Sequence, residues 1–290
     1  MATIEAAAIV ALRSGEFLCE MDAGMHVQVR IDVDPAARRA RIDFTGTSPA
    51  GVHNFNAPRA VCVAAVLYVF RMLAARPIPL NEGCLAPLTL VIPPGSLLDP
   101  PPGSAVVAGN VETSQIIVDA LLGALGLLAA SQGTMNNLTF GDDSLQYYET
   151  IAGGSGAGRG FAGCDAVQTH MTNSRLTDPE IFESRFPVRL QQFAIRRGSG
   201  GAGRWRGGDG VLRRIEFLAR LDAAMLANRR RIAPHGLGAG GVAAPGITRL
   251  LRVDGSTQQL AASAAFAVEP GDVLEVQTPG GGGSSLAAND

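Results

Sequence analysis

Residues 26–45, HVQVRIDVDPAARRARIDFT, alternate apolar and polar side chains on both sides of a turn-like DPAARRA. This period of two predicts a half-buried hairpin with strands over residues 26–33 and 40–45. The following residues, 57–75, are mostly apolar and carry Pro58 near their start, which predicts a helix. Together, the hairpin and the helix indicate α+β structure for this part of the chain.

The pattern changes toward the C-terminus. A second buried helix is predicted over residues 112–130, because Glu112, Thr113 and Ser114 are typical of a helix N-terminus. From about residue 185, short alternating segments separated by glycine-rich turns predict strands of a sandwich or barrel; they read PVRLQQFAIRR, VLRRIEFLA, DAAMLAN, ITRLLRV and DVLEVQT. We therefore predict an α+β fold, with an α+β part over residues 1–184 and a β-rich part over residues 185–290.

Composition excludes several classes of protein. The chain has 290 residues, of which 47% are apolar and 17% charged, so it is globular and long enough for a sizeable core. A net charge of −2 argues against binding to nucleic acid or to a membrane surface. All 24 basic residues are arginine, which excludes Schiff-base lysine chemistry and the lysine of a P-loop.

Cysteines and apolar runs indicate the compartment. The four cysteines are far apart and form no C-x-x-C pair, so we expect reduced thiols in a cytoplasmic protein. The N-terminus lacks the basic segment of a secretory signal, and the apolar run at residues 116–130 is too short to span a bilayer. We predict no contact with a membrane.

Glycines are concentrated in clusters, which read GGSGAGRG (153–160), GSGGAGRWRGGDG (198–210), GLGAGG (236–241) and PGGGG (279–283). Such clusters permit positive φ angles and close approach of backbone segments. Residues 158–163 also satisfy G-x-G-x-x-G, but glycine precedes them where a dinucleotide site would have a strand. The segment GRWRGGDG contains Asp209 and lies in an acidic chain, so we do not interpret it as a nucleic-acid site.

The most polar stretch is THMTNSRLTDPEIFESRFPV, residues 169–188. Two interpretations remain open. The stretch lines a site, or it is a connector in which Asp178 caps a short helix that begins at Pro179 and Glu183 pairs with Arg175 or Arg185. None of the four histidines has the spacing of a self-contained metal site, so we predict no metal ligands in this chain.

Several motifs in series resemble the hydantoinase B / 5-oxoprolinase family. They occur in the family's order between residues 22 and 283 and include DFTGTSPAGVHNFNAP, AGNVETSQIIVDALLGALG, ASQGTMNN, YYETIAGGSGAG, THMTNSRLTDPEIFESRFPV, GSGGAGRWRGGDG and VEPGDVLEVQTPGGGG. Within the family, THMTNSRLTDPE is most similar to the 5-oxoprolinase branch.

The resemblance implies a part of an ATP-dependent enzyme that opens a cyclic amide, such as 5-oxoproline or a hydantoin, or that carboxylates a ketone. A separate hydantoinase A-type subunit or half would handle ATP and activate the amide carbonyl by phosphorylation. Family chains also have an N-terminal portion with an NDP…GGTH-type segment whose Asp and His belong to a metal site, and this sequence has no such segment. We therefore expect a fragment or split subunit in an oligomer, inactive and without cofactor alone, with ATP and a divalent metal bound in the complete enzyme.

The resemblance also suggests residues that line the cavity. The catalytic candidates are His170, Glu149 and Glu180, and the substrate-binding candidates are Arg175, Asn173, Asn136 and Asn137. Arg175 would clamp a substrate carboxylate through two hydrogen bonds, and His170 would hold or move a proton near neutral pH. The competing hypothesis is a non-catalytic assembly module, which predicts exposed apolar surface where the rest of the subunit would pack.

Overall fold

A computed structural model describes residue 9, residues 12–74, residue 79 and residues 81–286. The chain divides into two compact units, Met1–Leu128 and Ala129–Asp290. The boundary predicted at residues 184 and 185 falls inside the second unit, because strand β5 (Asn137–Gly141) pairs with β9 (Leu221–Leu226) across it. The α+β class is confirmed, since helices and sheets both contribute to the described structure.

The first unit is built on a four-stranded sheet in the order β1–β2–β3–β4, with strands at Gly15–Glu20, His26–Asp34, Arg39–Asp43 and Leu88–Val91. The predicted hairpin is confirmed as β2 and β3, which pair antiparallel, and β4 joins β3 in parallel. Helix α1 (Arg59–Met72) confirms the helix predicted over residues 57–75, and a short 3-10 helix spans Glu82–Leu85.

The second predicted helix has different ends. It is α2 (Ser114–Ala124), and a π-helical turn at Gly109–Thr113 runs directly into it. Thr113 and Ser114 do not cap it; their hydroxyls donate to the carbonyls of Phe55 and Asn110. The helix stops short of residue 130 because Gly126 has a φ of 63°, the left-handed conformation that terminates helices.

The second unit contains a five-stranded antiparallel sheet, β12–β11–β14–β8–β7, and a four-stranded antiparallel sheet, β13–β9–β5–β6. A two-stranded parallel pair, β10–β15, accompanies them. Besides β5 and β9, these sheets contain β6 (Gln146–Thr150), β7 (Val188–Arg196), β8 (Gly210–Phe217), β10 (Leu237–Gly238), β11 (Ile247–Leu251), β12 (Thr257–Gln259), β13 (Ser263–Val268), β14 (Val273–Gln277) and β15 (Ser284–Ser285). All five strands predicted after residue 185 are present, as β7, β8, β9, β11 and β14.

One hydrophobic core joins the two larger sheets. Ile215 and Leu274 enter it from the five-stranded sheet, and Phe140 and Met225 enter it from the four-stranded sheet. Phe182, from the short helix α3 (Pro179–Arg185), completes it. The sandwich-like architecture predicted for the C-terminal part is therefore present, but it requires β5 and β6, which precede residue 185.

The glycine clusters pack together as a bundle of backbone segments, which we call the glycine bundle (residues 153–164, 198–210, 236–241 and 279–283). Backbone hydrogen bonds link them, including Gly154 N–H to the carbonyl of Pro279 at 3.0 Å and Gly281 N–H to the carbonyl of Gly208 at 2.9 Å. A Cβ atom at Gly281 would lie 1.9 Å from the carbonyl oxygen of Ser155. The predicted close approach is confirmed, because there is no space for a side chain at such positions.

Candidate functional site

Uncharged polar side chains are buried together in the second unit, where β5 begins and where β6 and β9 end. Backbone and side-chain hydrogen bonds connect them, and we call them the amide cluster: Gln132, Thr134, Asn136, Asn137, Thr150, Gln168 and Asn228. All of these except the partly buried Gln168 are at most 4% exposed. Polar groups this deeply buried generally need hydrogen-bond partners, so the side chains of the amide cluster are held in defined orientations.

The backbone of the amide cluster is strained. Asn136 has a φ of 47°, and its N–H donates to Thr134 Oγ1 at 3.1 Å. The same hydroxyl accepts from the N–H of Asn228 at 3.1 Å, and the next residue, Arg229, has a φ of 63°. Left-handed residues other than glycine cost on the order of 1–3 kcal/mol each and are concentrated at functional sites. One threonine hydroxyl thus joins two strained segments.

Hydrogen bonds fix the orientation of two carboxamides in the cluster. Asn136 Nδ2 donates to Gln132 Oε1 at 2.9 Å and to the backbone carbonyl of Ile151 at 3.1 Å. Because a backbone carbonyl only accepts, the nitrogen of Asn136 must face it, and the oxygen of Gln132 must face that nitrogen. The other atoms of the two groups, Asn136 Oδ1 and Gln132 Nε2, are buried without a partner among the described residues.

The neighbouring amides hold strands and the polar segment in place. Asn137 Nδ2 donates to the carbonyl of Leu226 at 2.7 Å, and Asn137 Oδ1 accepts from the hydroxyl of Tyr148 at 2.8 Å. Gln168 Nε2 donates to the carbonyl and the hydroxyl of Thr150, at 3.1 and 3.0 Å. Asn137 therefore ties β5 to β6 and β9, and Gln168 anchors the segment after residue 167 to the end of β6.

Glu149 lies in a buried ion pair. Its two carboxylate oxygens accept from Nε and Nη2 of Arg213 at 2.9 and 3.0 Å, and both side chains are 2% exposed. The hydroxyl of Tyr147 also donates to it at 2.8 Å; burial, reinforced by the charge of Glu149, raises the pKa of Tyr147 to about 12. The Arg213 guanidinium lies over the rings of Phe182 and Phe193, with its central carbon 5.4 and 5.3 Å from the centroids. The catalytic role predicted for Glu149 would require this pair to open.

The polar stretch at residues 169–188 contains the connector that one interpretation predicted. The carboxylate of Asp178 accepts from the N–H of Glu180 at 3.1 Å, and Pro179 occupies the first position of α3. Glu183 does not pair with either arginine; it accepts from the N–H of Leu190 at 2.8 Å instead. The helix start is therefore confirmed, and the ion pair predicted for Glu183 is replaced by a hydrogen bond to β7.

The remaining predicted site residues lie at or near the surface. Asn173, Arg175 and Glu180 are exposed, and His170 is partly buried with a left-handed φ of 55°. The structure brings Asn136 and Asn137 together in the amide cluster.

Five members of the amide cluster were not predicted from the sequence: Gln132, Thr134, Thr150, Gln168 and Asn228. Gln132 and Thr134 belong to ASQGTMNN, the motif that contains Asn136. These two residues could have been found from the sequence, because the motif is a polar stretch between apolar segments. For Gln168 and Asn228 the signal is weaker, because their neighbours in space are distant in sequence.

The described residues do not offer the ligand set of a metal ion. No three side chains of His, Cys, Asp or Glu converge in the part of the chain that the structure describes. The divalent metal implied for the complete enzyme therefore does not fit the described residues, and we derive no step through it. All four cysteines are free thiols, of which Cys164 is exposed. None of the described helices combines the length and apolar character needed to cross a bilayer.

Two solved structures share this fold. An ATP-dependent caprolactamase from Pseudomonas jessenii superposes with a TM-score of 0.78 and 21% identity, over 97% of this chain and 53% of that chain. The nucleotide-free structure of an acetone carboxylase gives a TM-score of 0.83 and 17% identity, over 96% of this chain and 46% of that chain. At these identities the likeness establishes the architecture.

Sequence comparison establishes the family. The profile of the Hydantoinase B/oxoprolinase family matches residues 2–285, so the chain belongs to this family, as the motifs predicted. It is 46% identical over 263 residues to a 5-oxoprolinase of Dictyostelium discoideum and 49% identical over 263 residues to 5-oxoprolinase 1 of Arabidopsis thaliana. In both comparisons 91% of this chain aligns with 21% of the relative, so the chain spans about a fifth of their length.

Proposed function

We propose that the chain is the C-terminal portion of a hydantoinase B/5-oxoprolinase-type subunit in an ATP-dependent cyclic amide hydrolase. The observation that carries this proposal is the 46–49% identity to two 5-oxoprolinases over 91% of the chain. The reaction is the opening of 5-oxoproline to glutamate, or of a hydantoin ring. We place the working enzyme in the cytoplasm, as an oligomer with a hydantoinase A-type ATP-handling subunit or half.

The proposed roles of the surface residues follow from their chemistry. Arg175 is exposed, so its guanidinium is available to clamp a carboxylate of the substrate once the rest of the subunit covers it. Asn173 and Glu180 are exposed on the same segment, and we propose that they complete the wall of the cavity. His170 holds or moves a proton there, because an imidazole ring has one nitrogen that can accept a proton and one that can donate it.

We assign Glu149 a positioning role in this enzyme. Both of its oxygens accept from Arg213, and the Tyr147 hydroxyl that donates to it is also hydrogen-bonded to Thr177, accepting from Thr177 Oγ1 at 3.2 Å. The ion pair is thereby linked to residue 177, next to the cap of α3. It would hold the polar stretch at the correct distance from β6.

Turnover requires the parts of the enzyme that this chain does not supply. The sequence has no lysine for a phosphate site, and the described residues have no metal ligand set. The test is ATP-dependent release of glutamate from 5-oxoproline. We expect none from the purified chain, and turnover when the N-terminal hydantoinase B portion and the ATP-handling subunit are added. Turnover by the purified chain would refute the proposal.

A second candidate, a non-catalytic assembly module, has one observation in its favour. Phe193 and Ile195 are exposed on β7, an edge strand of the five-stranded sheet, and Phe193 is 47% exposed. Exposed apolar side chains on a sheet edge favour packing against another chain. The same mixing experiment, run with 5-oxoproline and with a hydantoin, separates the candidates, because a module would bind the other components and open neither ring.

A further inference from the structure

We propose that Gln132 and Asn136 form a binding site for the neutral N–H and C=O edge of a cyclic amide. The choice of ligand class rests on the proposed function. The site itself rests on the geometry of the two carboxamides. Their free atoms, Gln132 Nε2 and Asn136 Oδ1, are a donor and an acceptor that find no partner among the described residues.

The two free atoms match the edge of a ring amide. In a small lactam the amide is held cis, so its N–H and its carbonyl oxygen point to the same side of the ring. Asn136 Oδ1 would accept from the ring N–H, and Gln132 Nε2 would donate to the ring carbonyl. The two carboxamides are already joined at 2.9 Å, so their free atoms lie on adjacent groups. An open-chain trans amide presents its N–H and C=O on opposite sides and makes only one of these bonds.

The site is held rigid before a ligand arrives. The N–H of Gln132 donates to the carbonyl of Gly154 at 2.9 Å, and its side chain lies against Gly153, where a Cβ atom would be 2.1 Å from Gln132 Oε1. Asn136 is fixed by its left-handed backbone and by Thr134. Groups that are positioned in advance lose less entropy on binding.

Burial favours an uncharged ligand edge. Gln132 and Asn136 are both 0% exposed, and the hydrogen bonds that orient their carboxamides involve no charged group. An ionised ligand group would lose its hydration here without a counter-charge. We therefore assign the uncharged amide edge of the substrate, and not its carboxylate, to this pair.

The test uses lactam binding to the full 290-residue chain, measured by NMR titration with 2-pyrrolidinone and with N-methyl-2-pyrrolidinone, which lacks the N–H. We expect 2-pyrrolidinone to bind and the N-methyl compound to bind about tenfold more weakly or worse, because one hydrogen bond is lost. Gln132→Glu keeps the acceptor for Asn136 and replaces the free N–H donor by a carboxylate oxygen; it should weaken 2-pyrrolidinone binding about tenfold. Gln258→Glu is the matched control on exposed β12 and should change nothing.

A second variant keeps the test decisive if Gln132→Glu does not fold. Asn136→Gly tolerates the positive φ and removes the acceptor, so it should abolish the preference for the N–H compound. Absence of lactam binding overturns the inference. Equal binding of the two compounds also overturns it.

Binding and turnover are separate readouts. Discriminating lactam binding without ATP-dependent opening of either 5-oxoproline or a hydantoin in the mixed enzyme supports the site and contradicts the proposed function. Glutamate release from an enzyme whose chain does not distinguish the two lactams overturns the site and leaves the proposed function intact.

Discussion

Replacing Glu149 by glutamine should destabilise the second unit strongly. The Arg213 side chain is 2% exposed, and two of its nitrogens donate to Glu149. In Glu149→Gln the cation stays buried without a counter-charge and one of its two acceptors becomes an amide nitrogen. Removing one partner of a buried pair costs about 3–5 kcal/mol. For a unit of this size, the same loss lowers Tm by roughly 6–20 °C.

The double substitution Glu149→Met with Arg213→Met should recover much of this loss. The pair itself contributes little net free energy, because its attraction is offset by the cost of removing two charges from water. Replacing both partners by apolar groups removes that cost. The cation–π contacts of Arg213 with Phe182 and Phe193 become ordinary apolar contacts. We expect the double variant to be more stable than either single variant.

The assay is urea unfolding followed by the fluorescence of Trp205, the one tryptophan of the chain, which lies in the second unit. The matched control is Glu269→Gln. Glu269 pairs with Arg220 at 3.6 Å in the same unit, and the two side chains are 54% and 77% exposed. Exposed pairs contribute about 0–1 kcal/mol, so the control should unfold like the wild type. If Glu149→Gln loses no more stability than Glu269→Gln, the reasoning about the buried pair is wrong.

Three further predictions concern the glycine bundle and the polar stretch. Gly281→Ala should lower the free energy of unfolding in urea by about 3 kcal/mol or more, because its Cβ atom would lie 1.9 Å from a backbone atom. The control is Gly241→Ala, whose Cβ atom would lie 3.2 Å from its nearest neighbour and which should lose much less stability. Equal losses of stability in the two variants would contradict the packing argument. Burial raises the pKa of Asp209, but hydrogen bonds from Arg206 and from two backbone N–H groups outweigh burial and hold that pKa below its ordinary 3.8. The carboxylate therefore stabilises the fold above about pH 4, and this contribution is lost as pH falls through the depressed pKa. Asp209→Asn should therefore flatten the decline in Tm on acidification below pH 4, and an unchanged decline would assign it to other groups. In the reconstituted enzyme, Arg175→Gln should raise KM for 5-oxoproline by about tenfold or more with a smaller change in kcat, and an unchanged KM would exclude the clamp.

Elements with a clear local period could be predicted from the sequence. The hairpin over residues 26–45 and the helix over residues 57–75 depend on side-chain alternation and on Pro58, and both are present. The five strands after residue 185 were recognisable for the same reason. The end of α2 was not, because Gly126 lies inside an apolar run and its left-handed φ is a property of the folded backbone.

Long-range pairing accounts for what the sequence did not reveal. Asn137 of β5 pairs with Leu226 of β9 across the domain boundary predicted between residues 184 and 185, and no local sequence pattern predicts this pairing. Glu149 pairs with Arg213, which lies 64 residues away in the sequence, so the sequence alone could not show that its carboxylate is ion-paired. Asn136 was a candidate because its motif resembled a family, whereas the importance of Gln132 depends on a hydrogen bond that only the folded chain shows.

The glycine bundle also constrains how this sequence can change over generations. Every amino-acid replacement of a glycine adds at least a Cβ atom, and at positions such as Gly207 and Gly281 that atom would overlap another backbone segment. Selection should therefore remove substitutions of these glycines even though they are not proposed to contact the substrate. The close packing of the backbone segments determines which positions must be glycine. Distant members of the family should therefore keep the spacing of these glycines after their site residues have diverged.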